Sequence, residues 1–543
     1  MKKSPSFRGL LLYFPLLLCV AVMLPRLWSP QLGFFDDAVG LITAKGIWSG
    51  QGILHGDVNG RFRPIYWLSY AVIYRLAGNT PFWFFFGNLV LFLLITACAI
   101  RLALGFGLDS KAAWVVGITL VIAGPVLENV YTFGKPEPLQ MVWILLLLLA
   151  CGLYPRARAW YWKLAAVLGM ASLAFLACNT KETGVLLIPA TWVSWLMAWV
   201  WYRFTGRAGH PAVKQRLALA CSSLAGVFSY WVLSSTILKK SLFNSRSGAF
   251  NYHFSWIVSQ IHLEGFWMVR DFLYLVPIGV IALVFAIRKS NRDCLLPIIE
   301  CLVWIALWLG VYLPWTYIPE YYLLPVAISA ALLCGLFFSL NWKLLAEPLP
   351  GKNLAVAALI LSGLLLTLTL PSQVSNGRLQ LATDRANADM LAFVVQHVPQ
   401  GSTVWININP PNEYVGEFTL WVTQLENRPD LRVDYFHSQS LAEAQLRGGA
   451  VWIVSPYMEN LFYPSVRVGM TELPTRQWNE ALDQYMAGHG SLIRLIRQSF
   501  TSSNLDPLRF FCPLARSLSY CKVPDAPLDH RVFAYGWKIY SLP

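Results

Sequence analysis

Two neighbouring carboxylates, Asp36 and Asp37, stand in the stretch Gly33-Phe34-Phe35-Asp36-Asp37-Ala38, directly behind an apolar segment. Ionisable groups at the edge of a membrane span are costly to keep and are read first as functional. Close carboxylates raise one another's pKa, and burial against apolar helices raises it further. That tunes one of them toward a general base for an acceptor hydroxyl near neutral pH. Adjacent residues at a helix start point in different directions, so one is expected to be catalytic and the other structural, with Asp36 favoured as the base. The simpler alternative is that the pair only caps a helix beginning near Ala38.

Cations recur in the same kind of place. Arg61 and Arg63 precede Pro64, which would open a helix at Ile65. Guanidinium forks beside free backbone N–H groups make an anion site, or the two side chains snorkel to lipid headgroups. The turn Glu128-Asn129-Val130-Tyr131-Thr132-Phe133-Gly134-Lys135-Pro136-Glu137-Pro138 sets two acids and a lysine between apolar runs. Glu137 could instead serve only a helix dipole. Asn179-Thr180-Lys181-Glu182-Thr183 interrupts two further runs. Lys181 there could neutralise a lipid phosphate, or pair with Glu182 and do nothing else. Glu320, Tyr321 and Tyr322 open a later run. His55, His253 and His262 share the same side at no metal-ligand spacing, and no residue is assigned to a metal. Glycine-rich phosphate loops, HExxH, CxxC and G-x-S-x-G are all absent from the sequence.

The elements that must position these groups follow from composition. Of 543 residues, 56% are hydrophobic and 13% charged, against about 25% charged in soluble domains. The fold class is therefore an α-helical polytopic membrane protein. A hydrocarbon core of roughly 30 Å takes about 20 apolar residues. Runs fit at 9–27, 81–105, 113–127, 138–154, 164–179, 184–202, 217–237, 267–287, 295–313, 321–341 and 353–371, about 11 transmembrane helices. The first is expected to stay uncleaved, because no small-x-small site precedes Arg26.

The formal charge of +14 does not point to nucleic acid, because the basic residues sit in short loops between spans. Lys111, Arg156 to Lys163, Arg203 to Arg216, Arg288 to Arg292, and Lys343 with Lys352 all fall on one side. That places the N-terminus in the cytoplasm, and the absence of any Asn-x-Ser/Thr acceptor fits a bacterial inner membrane. The opposite side then receives 28–80, 128–137, 180–183, 238–266, 314–320 and the C-terminus. Ala38–Trp48 and Ile65–Leu76 are too short to span and are expected to be interfacial helices. Trp48, Trp67, Trp83, Trp256, Trp267 and Trp315 fit an aromatic belt.

Residues 1–371 thus form a membrane domain. Residues 372–543 turn polar and read as an extracytoplasmic α/β domain, with strands at 402–408 and 450–455 and helices at 384–397, 476–486 and 491–498. Outside is oxidising, so Cys512 and Cys521 are expected to form a disulfide, with two free buried thiols as the alternative.

Taken together, Phe35-Asp36-Asp37, Arg61-Phe62-Arg63-Pro64-Ile65-Tyr66-Trp67-Leu68-Ser69-Tyr70, Tyr131 to Leu139 and Thr180-Lys181-Glu182-Thr183 resemble the GT-C superfamily in order and topology. These are polytopic glycosyltransferases that use polyprenyl-phosphate sugars. The likeness is to the branch of the protein O-mannosyltransferases, the TMTC mannosyltransferases and the bacterial aminoarabinose transferase, and it covers about the first 200 residues. It implies a catalytic carboxylate at Asp36 with Asp37 beside it, Glu137 completing the pocket, and Arg63 and Lys181 on the donor phosphate, with Lys135 assisting. Arg61, Glu128, Glu182, Glu320, Tyr321 and Tyr322 are candidate pocket residues. Many bacterial relatives carry an Arg-Tyr pair followed by Leu and Pro on a late helix. Here Glu320-Tyr321-Tyr322-Leu323-Leu324-Pro325 has no arginine, so another cation must meet the phosphate or the donor sits differently.

The expected activity is a single, inverting displacement of a sugar from a polyprenyl-phosphate donor to a hydroxyl on a glycan, lipid or protein, amid membrane lipids. No cofactor is required, although a divalent ion on Asp36, Asp37 and Glu137 stays open. A transporter or flippase, or a polymerase or ligase, of lipid-linked glycans is the alternative. The crowding of acids on one face and the lack of repeats disfavour a transporter.

Overall fold

The structure, a computed structural model, describes residues 13–34, 37–54, 61–207, 209–238, 257–288, 295–314, 320–346, 351–407, 413–435, 451–459, 476–501 and 532–542. Each predicted span is helical over most of its described residues, with 113–127 and 267–287 each divided between two helices. The chain enters as α1 (Phe14–Trp28), α2 (Asp37–Gly46), α3 (Pro64–Ala77), α4 (Pro81–Gly105), α5 (Ser110–Val121) and α6 (Gly124–Tyr131). It continues through α7 (Glu137–Cys151), α8 (Trp160–Thr180), α9 (Leu187–Phe204), α10 (Pro211–Leu238), α11 (Ile257–Phe272) and α12 (Leu275–Arg288). Then follow α13 (Leu295–Tyr312), α14 (Leu324–Ala346) and α15 (Lys352–His397).

Among the described residues, eight helices are long and apolar enough to cross a membrane, or nine if the pair α5–α6, bent by 55°, is one span. Two shorter apolar helices, Phe14–Trp28 and Leu275–Ile287, fill the remaining predicted spans. The chain is an integral membrane protein. The short helices expected at Ala38–Trp48 and Ile65–Leu76 form as α2 and α3.

Proline opens α3, α4, α6 and α7 within their first two positions, where its missing N–H costs nothing. The break between α5 and α6 falls at Gly124-Pro125. Gly124 faces Glu320, Gln373 and Arg270 so closely that a Cβ at this position would collide with all three. Helix α14, with 89% of its apolar window buried, is the central post of the bundle.

Helices α8 and α10 meet through a glycine, as small residues allow where helices pack in lipid. A Cβ built on Gly226 would lie 2.4 Å from the Ala171 carbonyl oxygen, whereas one on Gly169 meets nothing within 4 Å. Gly226→Ala is therefore expected to cost about 1–3 kcal/mol by overpacking. Gly169→Ala should leave the protein as stable or slightly more so. Thermal unfolding of the two detergent-solubilised variants reads the contrast.

Helix α15 carries the chain out of the bundle. It runs unbroken through Pro371 for 46 residues, about 69 Å at 1.5 Å per residue. The expected helix at 384–397 is its end. Beyond it come β1 (Thr403–Ile406), α16 (Glu413–Leu420), β2 (Arg432–Tyr435), β3 (Val451–Glu459), α17 (Arg476–His489), β4 (Ser491–Thr501) and β5 (Val532–Leu542). They make a five-stranded sheet in the order β2-β1-β3-β5-β4, parallel at β1 and antiparallel around β5.

Ser491–Gln498, expected as helix, is strand β4. A register shift between Leu492 and Arg494 interrupts the alternation and leaves a spacing that imitates a helical face. Asn387 on α15 ties the sheet to the bundle by accepting from the Trp537 indole at 2.9 Å. Cys512 and Cys521, and with them the expected disulfide, lie outside the described residues.

Candidate functional site

The loops that charge bias assigns to one side do converge. Asp37 opens α2 and is buried. Its Oδ2 accepts from the Gly33 N–H at 2.6 Å, which closes the loop backward rather than capping α2. The α2 N-terminus is capped from elsewhere: the Ala38 N–H donates to Glu417 Oε2 at 2.8 Å. Asp384 and Glu417 both face Asp37, and Lys135 lies within electrostatic reach. Burial, then Asp384, pushes the Asp37 carboxyl well above the usual carboxylate range. Glu417 adds to this, and the Gly33 N–H and Lys135 only partly oppose it. Asp37 Oδ1 is buried with no hydrogen-bond partner among the described residues. Asp36 itself lies outside the described residues.

A second cluster stands where α7, α8 and α3 meet. Glu137, the first residue of α7, forms a buried ion pair with Lys181, which follows the last residue of α8. Glu137 Oε2 has no hydrogen-bond partner among the described residues. Glu182 instead takes Arg63 in a two-point grip, with Nε to Oε2 at 2.7 Å and Nη2 to Oε1 at 2.5 Å. Lys181 and Glu182 thus pair with different partners rather than with each other. Arg63, at 6% exposure, does not snorkel. Arg61 adds its field at Glu182 and Tyr322. Burial pulls the Lys181 ammonium below its ordinary value, while Glu137 pushes it back up.

Tyrosines floor both lysines. Lys135 Nζ lies 3.9 Å from the Tyr321 ring centre, and Lys181 Nζ lies 3.9 Å from that of Tyr322. The stretch where the resemblance led one to expect an arginine therefore supplies ring faces to two cations from other elements. Gly134, at φ +78°, makes the turn into Lys135, and its N–H donates to the Tyr70 hydroxyl at 3.2 Å. The Tyr70 phenol feels both Asp37 and Glu137, so it lies between the two clusters. Tyr66, Phe84 and Phe133 pack around that phenol.

Glu320 and Glu128 fall elsewhere. Glu320 pairs with Arg270, which also holds Asp271 through two 2.8 Å bonds, and Gln373 donates to Asp271 at 2.7 Å. Glu128 borders this group beside Gly124 and Gly377.

Three buried residues of the first cluster carried no sequence expectation. Arg26, at 1% exposure, donates to Asp384 at 2.5 Å and lies 3.8 Å from the Phe85 ring centre. Arg26 reads in sequence as a flank to the first span. Asp384 and Glu417 belong to the polar C-terminal region, to which no site was assigned. A lone acid at the start of an α/β region gives no signal of its own.

No protein-family model and no curated protein sequence matches the chain. Solved structures do. The oligosaccharyltransferase of Archaeoglobus fulgidus in the apo form matches at 11% identity and a TM-score of 0.52, over 100% of this chain and 89% of that one. The fold is GT-C-like. ArnT from Cupriavidus metallidurans bound to undecaprenyl phosphate matches at 13% identity and a TM-score of 0.48, over 81% of this chain and 92% of that one. Its apo form gives 13% identity and 0.44 over the same shares. At these identities the likeness speaks to the fold alone.

The Asp37 environment sets a sign for pH. A carboxyl held protonated by the fold contributes stability below its ordinary pKa. That contribution is lost as pH rises through the raised folded value, because the unfolded chain ionises first. Wild-type stability should therefore fall as pH rises from about 4, by at most about 1.4 kcal/mol per pH unit from this group. Asp37→Asn should flatten the fall and be at least as stable at neutral pH. Thermal unfolding from pH 4.5 to 7.5 checks it, and equal slopes for the two proteins would show Asp37 to be ionised.

Proposed function

We propose that this chain is an inverting glycosyltransferase that moves a sugar from a polyprenyl-phosphate donor to a hydroxyl acceptor at the extracytoplasmic face of the membrane. The observation that carries the reading is the convergence of Glu137–Lys181, Arg63–Glu182 and Lys135 beside the buried Asp37, within a GT-C-like fold. The fold-matched archaeal protein is by name an oligosaccharyltransferase, which supports glycan transfer as the reaction class.

Charge fits the donor. Arg61, Arg63, Lys135 and Lys181 face Glu137 and Glu182, which leaves two positive charges for a phosphodiester that gains negative charge as its sugar departs. In the proposed step Asp36 takes the proton of the acceptor hydroxyl, and that oxygen forms the new bond to the anomeric carbon. The carbon–oxygen bond to phosphate breaks, its electrons go to the phosphate, and polyprenyl phosphate leaves with Arg63, Lys181 and Lys135 beside it. One displacement inverts the anomeric centre. The chain's own cations meet the leaving group, so the step as proposed calls for no metal. Burial and the neighbouring Asp384 favour the neutral form of Asp37, which leaves Asp36 the better base for the acceptor proton.

Proteoliposomes given a polyprenyl-phosphate-linked sugar and a hydroxyl acceptor test the reading. Polyprenyl phosphate should be released one for one with sugar transferred, with the anomeric configuration reversed. Movement of intact donor across the bilayer without its cleavage would instead make the protein a flippase. Mass spectrometry of surface glycans from a deletion strain then names sugar and acceptor together.

A further inference from the structure

A cavity of about 1020 Å³ opens among the helices on the side of the bundle away from the carboxylate clusters. It starts at Met141, one turn below Glu137 on α7, and runs to Cys151 at that helix's far end, about 15 Å along the axis. Its wall takes leucines and isoleucines from α4, α7 and α14, with Thr191, Gln215 and Ser329 among them. One acid in the wall is neutralised where it stands. Glu300 accepts from Arg216 Nε at 2.5 Å and Nη2 at 2.9 Å, and from the Ser194 hydroxyl at 2.6 Å.

The rim is different. Arg101, near the end of α4, and Arg156, just past α7, are exposed, border the cavity and have no ion-pair partner among the described residues. The cavity is thus mainly apolar within, with the satisfied Glu300–Arg216 pair in its wall, and carries two spare guanidiniums at the mouth. These lie at the membrane face to which the basic loops belong.

We propose that this cavity is a binding site for an anionic glycerophospholipid of the adjacent, cytoplasmic leaflet. Its acyl chains lie along α7 and its phosphate sits at Arg101 and Arg156. The volume exceeds what a soluble metabolite would fill, at the upper end of ligand sites in general. A basic pocket between membrane helices on this face is the setting in which anionic headgroups are held. The polyprenyl-phosphate donor is the poorer occupant, because its phosphate belongs beside Lys181, at the opposite end of α7.

The test uses the full-length protein in mild detergent, with native mass spectrometry after addition of phosphatidylglycerol, phosphatidylcholine or undecaprenyl phosphate. Wild type should retain one phosphatidylglycerol in preference to phosphatidylcholine. Arg101→Gln/Arg156→Gln should weaken that retention about fivefold for each arginine. Leu148→Trp, which fills the wall and leaves the rim intact, should weaken it as well. Equal retention of phosphatidylcholine, retention unchanged in both variants, or undecaprenyl phosphate displacing phosphatidylglycerol would each overturn the proposal.

Discussion

Replacing Asp36 by Asn is expected to lower sugar transfer by about a hundredfold to ten-thousandfold, the range that a positioned general base supplies. Asn keeps the shape and cannot take a proton, so the loss should fall on kcat while KM for the donor stays near wild type. The neighbouring residue is the internal control. Asp37 is buried, accepts from Gly33 and is pushed by Asp384 toward its neutral form. Burial that favours its neutral form makes Asp37 the poorer base, so Asp37→Asn should cost far less than Asp36→Asn. Initial rates in proteoliposomes, at matched protein level, give both numbers. An Asp36→Asn enzyme within tenfold of wild type would move the base to another group. If Asp37→Asn were the more damaging of the two, the roles of the pair would be exchanged.

The membrane fold was legible because apolar runs of the right length have few other uses. Each predicted span became helix, two of them broken into a pair, and the two stretches too short to span became short helices. The ion pairs of the second cluster were legible as types but not as partners. Lys181 and Glu182 are adjacent, and sequence offers them to each other. In the fold, Glu182 turns to Arg63 from α3 and Lys181 to Glu137 from α7. Partner choice of that kind depends on which helix ends meet, and that is tertiary information.

What surrounds Asp37 was illegible for a related reason. Glu417 caps α2 from 379 residues away and Arg26 reaches Asp384 across 358. No local pattern marks such a contact. Strand β4 was misread because its register shift lets a strand carry helix-like spacing.

Lys181→Met should cost both stability and activity, and the two losses can be separated. Lys181 and Glu137 are 3% and 2% exposed, so removing the ammonium strands a carboxylate in a dry site. Breaking one side of such a pair costs about 3–5 kcal/mol, whereas removing both charges is often close to neutral. The double variant Glu137→Gln/Lys181→Met should therefore regain most of the thermal stability lost by Lys181→Met. Transfer is expected to stay low in the double variant, because the leaving phosphate still lacks a cation. The ammonium has three donors and Glu137 Oε1 takes only one of them. In the proposed step, another is left for the phosphate without the pair coming apart. If the double variant recovered transfer together with stability, the pair would be a scaffold and the phosphate would rest on Arg63 and Lys135 alone. With stability restored and transfer still lost, the Glu137–Lys181 pair serves the reaction and not the fold alone, and the burial that makes the pairing expensive also strengthens the Lys181 field at the phosphate.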